Sequence, residues 1–350
     1  MLQYLKKALD EHLSSCYTSD GPGAALLVSV AGEELYAGGI GIADLSTGEP
    51  ITPDITFRLA SVSKQFTAMC VQLLEQEGQL TYDDTLQQFF PDFQPGIGVQ
   101  VTLRHLLCHT SGLLDYEEFV KERPDWQISD TEVLDIAAAQ TTTYFAPATQ
   151  YRYSNTGYVL LALVVEQVAD IAYADFLQQR IFEPLGMDHT MLFEKGEAIP
   201  NRAMGYARNE AGDIVLADQG TCTATQGDGC IYTSVRDYER WHRALNQQPG
   251  MAPALEQVYA PIPDYTNGFY GMGWFFSRRK SGGLEMYHTG NTSGFSNLVI
   301  RIPENDVLIA YFTNIADNPH LLTGFLDVLD QFSILYTASD LIRDLLKLTR

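Results

Sequence analysis

The chain has 350 residues, 45% of them hydrophobic and 11% aromatic, and its 22 Lys and Arg stand against 44 Asp and Glu for a formal charge of −22. That length exceeds the usual single core, so one large composite domain or two closely joined ones is expected, with little disorder. The negative balance repels a phosphate backbone or an anionic membrane at long range, which argues against nucleic acid as a partner.

In chain order, Leu2, Leu5, Leu9 and Leu13 recur with charges between them. This predicts an amphipathic helix and not the apolar segment of a secretory signal, so a cytoplasmic address is the expectation, although a chain whose signal had been removed would read the same. "AALLVSVAGEELYAGGIGIADL" has two apolar runs around Gly32 and Glu33, the pattern of a tight hairpin. Next comes "FRLASVSKQFTAMC", residues 57–70, after which Phe66, Met69, Cys70, Leu73 and Leu74 follow helical spacing until Gly78. Helical periodicity dominates the middle, in "TEVLDIAAAQ" and in the long run 156–182; the apolar stretch from Tyr158 to Val165 ends at Glu166, far short of the ~20 residues of a membrane span. Two late runs flank Pro303, Glu304, Asn305 and Asp306, predicting strands about a turn. A sheet drawn from both chain ends around a helical insert accounts for this order, with a discontinuous α/β part at 1–80 and 225–350 and a mostly helical part at 81–224.

Ser61 and Lys64 lie three apart at the start of the predicted helix, on one side of its first turn, where free N–H groups and the helix dipole favour developing negative charge. The pair reads either as a nucleophile and its activator or as a cap and a solvated lysine. Ser277 and Lys280 repeat the spacing, but beside Gly282 and Gly283 they fall at a strand end or hairpin, where i and i+3 face opposite ways. Tyr153 in "YRYSNTGY" offers a phenolic oxygen for proton relay and Asn155 an orienting amide; Tyr265 and Asn267 repeat that form. His105, Cys108 and His109 share a helical face at a spacing compatible with zinc, although packing and hydrogen bonding explain them more simply. The five cysteines, Cys16, Cys70, Cys108, Cys222 and Cys230, form no CxxC pair and predict reduced thiols. Tyr144, Tyr151 and Tyr158 read as core or cleft lining.

With Ser61-x-x-Lys64, Tyr153-Ser154-Asn155 and His288-Thr289-Gly290 in that order, the chain resembles the serine β-lactamase and penicillin-binding-protein superfamily. The branch resembled holds class C β-lactamases, S12 D-Ala-D-Ala carboxypeptidases and family VIII carboxylesterases. "VTLRHLLCHTSGL", "IFEPLGMDHT", "GDGCIYTSVRDYERW" and "YGMGWF" extend the likeness, which runs from roughly residue 23 to residue 313. It implies an α+β, transpeptidase-like fold with an antiparallel sheet, and an active site between the sheet and the helical part. It also implies a serine hydrolase that acylates Ser61, shares proton transfers between Lys64 and Tyr153, and forms an oxyanion hole from the backbone N–H groups of Ser61 and Asn291. Asn155, His288, Thr289, Gly290 and Asn291 orient the substrate, and no metal or organic cofactor is implied. Small esters or amides are the expected substrates; a true class C β-lactamase and a non-turnover sensor of β-lactams or peptides are the alternatives. His288 stands where class C enzymes usually carry lysine, and an uncharged imidazole is a poorer partner for a penicillin carboxylate. Arg278 and Arg279 are candidates for a substrate anion, with exposure in a hairpin as the simpler reading. The oligomeric state stays open.

Overall fold

A computed structural model describes residues 2–123, 125–263, 265–280, 282–316, 319–332, 334 and 342. The eight-stranded antiparallel sheet is built from β1 (Ala24–Val30), β2 (Glu33–Ile40), β3 (Ala260–Pro261), β4 (Gly268–Gly271), β5 (Trp274–Arg278), β6 (Leu284–Thr292), β7 (Phe295–Ile302) and β8 (Val307–Thr313). Its spatial order is β3-β4-β5-β6-β7-β8-β1-β2, so β1 enters beside β8 and the two chain ends share one sheet, as expected. The early hairpin turns through Ala31 and Gly32, both at positive φ (53° and 75°), the two-residue geometry that matches strand twist. The late pair β7 and β8 turns through Pro303–Asn305 and a left-handed Asp306, on the residues that signalled a turn.

Every residue of β7 and β8 is buried, so helices must cover both sheet faces. Alternation along β8 shows how. Tyr311 packs on Phe325 of the helix Pro319–Gln331 and bonds the Tyr17 hydroxyl just after α1 (Leu2–Cys16), whose Leu5, Leu9 and Leu13 are buried. Its neighbour Phe312 points the other way, against Tyr238. Tyr238 belongs to α4 (Val235–Gln247), and Trp241 one turn further stacks on Phe66 of α2 (Lys64–Gln76) at 4.4 Å. The next helix inward, α3 (Asn155–Ala169), is apolar around its circumference and accordingly buried.

Two local expectations are corrected. The helical run 156–182 is not continuous: α3 ends at Asp170, which takes φ 55°, and the chain resumes in Tyr173–Leu177 and a π turn, Gln178–Phe182. Asp170 stops the helix where no Gly or Pro announces it. Leu103–Leu107 is also short, with Cys108 as its cap and His109 left-handed at φ 56°, so His105, Cys108 and His109 share no helical face. Among the described residues no group of His, Cys, Asp and Glu is arranged to hold a metal ion. No described helix is long and apolar enough to cross a membrane.

Candidate active site

Ser61 occupies a 3-10 turn, Ala60–Ser63, that runs directly into α2 with Lys64 as the first α-helical residue. The serine thus sits three residues before the first α-helical residue and not within the first turn of the α-helix. Ala60 takes φ 51°, a conformation that costs a residue with a side chain about 1–3 kcal/mol. Strand β6 comes hard against this turn. A Cβ on Gly290 would lie 2.0 Å from the Leu59 carbonyl oxygen, so only glycine permits the approach. β5 pairs with β6 no further than Tyr287, which leaves His288, Thr289, Gly290 and Asn291 without a strand neighbour on that side, beside the serine.

Lys64 is fully buried and its Nζ lies within hydrogen-bond distance of three groups: Ser61 Oγ at 3.1 Å, Asn155 Oδ1 at 2.8 Å and the Asp228 carbonyl at 2.9 Å. Asn155 opens α3, one residue after the N-cap Ser154, and is fixed from every side: its backbone N–H donates to Asp115, its Nδ2 donates to Glu117 at 2.9 Å and its Oδ1 accepts from Lys64. The Tyr153 ring centroid lies 5.0 Å from Lys64 Nζ, and its hydroxyl is buried with no hydrogen-bond partner among the described residues. The structure therefore brings Ser61, Lys64, Tyr153, Asn155 and the 288–291 stretch to one place.

Burial, followed by the Lys64 charge, lowers His288 to about pKa 3, and its ring is neutral. Its Nδ1–H donates to the Thr289 carbonyl at 2.6 Å and Nε2 accepts from the Tyr270 hydroxyl at 3.2 Å. Two recesses meet at Ser61, Asn155 and Asn291. One, of about 450 Å³, is walled by Tyr151, Tyr153, Ile262, Tyr265 and Phe275 together with His288 and Thr289. The other, of about 60 Å³, is walled by Arg58, Glu117, Cys222 and Asp228. Partial burial and then the Asp115 and Asp228 carboxylates push the pKa of Glu117 up, with Asn155 and Lys64 pulling against them. Burial likewise raises Asp228, opposed by Lys64.

The remaining candidates disperse. Ser277 is buried on β5 with its hydroxyl 2.6 Å from the Tyr287 hydroxyl. Arg278 lies over the Tyr259 and Phe269 rings, Arg279 bonds Asn305 at 2.6 Å, and both line a separate pocket with Leu255 and Glu256. Cys222 and Cys230 are free thiols. Tyr265, of the repeated Tyr-x-Asn form, is a cleft wall together with Tyr153, and Tyr151 lines the cleft as its sequence context suggested. Sequence reasoning missed Glu117, Asp228 and Tyr270. Glu117 is one carboxylate among many, and Asp228 meets Lys64 through its backbone, which leaves no mark on residue type.

A serine on a turn before a helix, bonded to a buried lysine and faced by a tyrosine, on an antiparallel sheet of this topology, defines the class of β-lactamase-fold serine hydrolases. The chain belongs to the family described as Beta-lactamase, which it matches over residues 7–326, within the superfamily of serine β-lactamases and penicillin-binding proteins. It is 32% identical over 332 residues to penicillin-binding protein 4* of Bacillus subtilis, covering 89% of this chain and 73% of that one. It is 24% identical to protein flp of Staphylococcus aureus, of whose length it spans 60%. Among solved structures, D-amino acid amidase from Ochrobactrum anthropi SV3 complexed with L-phenylalanine amide superposes with a TM-score of 0.76 at 28% identity, covering 94% of this chain and 96% of that chain. A penicillin-binding protein from Bacillus halodurans shares the fold, with a TM-score of 0.77 at 21% identity over 92% and 98% of the two chains.

Proposed function

We propose that the protein hydrolyses small esters or amides through an acyl-enzyme on Ser61. The observation that carries this reading is the Lys64 Nζ contact to Ser61 Oγ at 3.1 Å inside a cage completed by Asn155 and Tyr153. Ser61 Oγ attacks the carbonyl carbon, and its proton passes into the Lys64–Tyr153 pair and on to the departing amine or alkoxide as that bond breaks. Water then cleaves the acyl ester, giving one proton to the pair, which returns it to Ser61. Backbone N–H groups of Ser61 and Asn291 hold the oxyanion.

Within this class, amides or esters of amino acids suit the site best. The Glu117 carboxylate lines the small recess and matches a substrate ammonium, the aromatic recess matches an apolar side chain, and the 28% identical amidase acts on D-amino acid amides. A neutral His288 offers a penicillin carboxylate no cation, which disfavours the β-lactamase reading, and a complete Ser61, Lys64, Tyr153 and Asn155 set disfavours the non-turnover sensor. The test is fluorophosphonate labelling read by intact mass, beside turnover of p-nitrophenyl acyl esters, D-phenylalanine amide, nitrocefin and D-Ala-terminated peptides. Wild type and Ser277→Ala should label and turn over within a few fold of each other, and Ser61→Ala should do neither. Labelling with no turnover on the whole panel would make the protein a sensor; a dead Ser277→Ala would misplace the site.

A further inference from the structure

Against the Tyr153 ring lies a buried histidine to which the proposed chemistry gives no role. His109 is 1% exposed and brackets the tyrosine in the backbone: the Arg152 N–H donates to the His109 carbonyl at 2.9 Å, and the Ser154 N–H donates to His109 Nδ1 at 3.2 Å. One residue on, the Thr110 carbonyl accepts from the Ala148 N–H, so the two segments run clamped together. The His109 ring centroid lies 4.2 Å from that of Tyr153 and 4.3 Å from that of Tyr270, whose hydroxyl holds His288. Because Nδ1 accepts, the ring proton sits on Nε2, which is buried with no partner among the described residues, as are the Tyr151 and Tyr153 hydroxyls. Burial first, then the Lys64 charge, hold the pKa of this imidazole far below its usual value, so it remains a neutral acceptor at Nδ1. Its backbone is left-handed at φ 56°, a conformation that His, Asn and Asp enter more readily than other side chains.

We propose that His109 is a positioning residue: by accepting from the Ser154 N–H and backing the Tyr153 ring, it fixes where the phenolic oxygen stands over Ser61 and Lys64. This rests on the reading of Tyr153 as a proton-transfer group. A displacement of about 1 Å in such a group costs roughly 10²-fold in rate, which is the scale of effect expected. Nothing in the proposal moves a proton through His109.

The test compares His109→Asn with His109→Gly. Both tolerate the left-handed backbone, but only asparagine can offer an oxygen acceptor near Nδ1. The glycine variant should lose about 100-fold in kcat with KM within about threefold, and the asparagine variant should recover at least about tenfold of that. A structural role alone would lower melting temperature without this split. Each substitution is repeated in Tyr153→Phe, where it should cost less than about threefold, since a group acting through the phenol has nothing left to place. Should the glycine variant not fold, the asparagine pair, with and without Tyr153→Phe, gives the same readout. Equal losses in both backgrounds, or an asparagine variant no better than glycine at matched melting temperature, overturn the proposal. If Tyr153→Phe alone keeps wild-type turnover, the reading of Tyr153 falls and this inference falls with it; if Tyr153→Phe is impaired and the His109 losses still multiply, only the inference fails.

Discussion

The two recesses that meet at Ser61 differ in size, polarity and charge. The larger, about 450 Å³, is faced by aromatic rings and a histidine held neutral by burial. The smaller, about 60 Å³, has room for a few atoms and sets the carboxylates of Glu117 and Asp228 against the guanidinium of Arg58. Arg58 is already committed to the Thr223 carbonyl and to Cys230, so the carboxylates dominate what an incoming group meets. Under the proposed function the contrast would give a substrate an orientation: an apolar moiety on the aromatic side, a compact cation on the acidic side, and the reacting carbonyl between them at the serine. A protein that shares its fold with such relatives would then owe its substrate choice to the walls of the site.

The largest test acts at Ser61, where the recesses meet, through its neighbours Lys64 and Tyr153. Lys64→Ala and Tyr153→Phe should each lower kcat by about 10²–10⁴-fold on esters and amides alike, the range of general acid–base assistance. The double variant should lose little more than the worse single one, because both act on one proton path. Steady-state kinetics on all three variants checks this. Independent, multiplying losses would break the shared relay and leave the recesses without a common centre.

Much of this was legible in the residues, for reasons that can be named. Ser61 and Lys64 stood out from Ser277 and Lys280 because helical periodicity follows the first pair and glycines follow the second, and Ser277 does lie on a strand, turned toward Tyr287. The hairpins were readable because Gly32 and the Pro303–Asn305 turn punctuate apolar runs. Other features depend on tertiary contact and left no local trace. The Asp228 carbonyl that holds Lys64 could belong to any residue type, Glu117 is one of 44 acids, and His109 leaves the helical face only because Leu103–Leu107 stops early. Tyr265 sits too near the third motif to serve as the second, yet the fold brings it to the cleft by another route.

A cation placed on the aromatic side should have a smaller effect. His288→Lys introduces the charge that a carboxylate-bearing substrate lacks there, and a charge-assisted hydrogen bond is worth about 1.5–3 kcal/mol. Burial and the nearby Lys64 oppose it, so the low end of that range applies, about tenfold in kcat/KM for nitrocefin, with p-nitrophenyl butyrate unchanged or reduced. Hydrolysis of the two substrates by both proteins measures the shift. A wild type that already prefers nitrocefin strongly would remove the charge asymmetry between the recesses as an account of substrate choice.

The smallest effect belongs to the acidic side. Glu117→Gln keeps an acceptor for Asn155 Nδ2 while deleting the charge, so Asn155 and Lys64 should hold their places and only recognition of a cation should suffer. At the mouth of a recess open to water such a pairing is worth about 1 kcal/mol, and KM for D-phenylalanine amide should rise about fivefold while neutral p-nitrophenyl esters are unaffected. The pH dependence has a definite sign. Because the pKa of Glu117 is pushed up, the carboxylate gains its proton at higher pH than an ordinary glutamate, and wild-type KM for the cationic amide should climb as pH falls from 7 toward 5. The substrate amine, with an α-amino pKa of about 7.7–8.0, only gains charge as pH falls through that window, which would lower KM, so the climb reports the enzyme and not the ligand. In Glu117→Gln the same plot should be flat. A wild-type profile that is flat as well, or a Gln variant that loses equally on neutral esters, would show that Glu117 supports Asn155 instead of reading a cation, and the two recesses would then differ in shape but not in the charge they select.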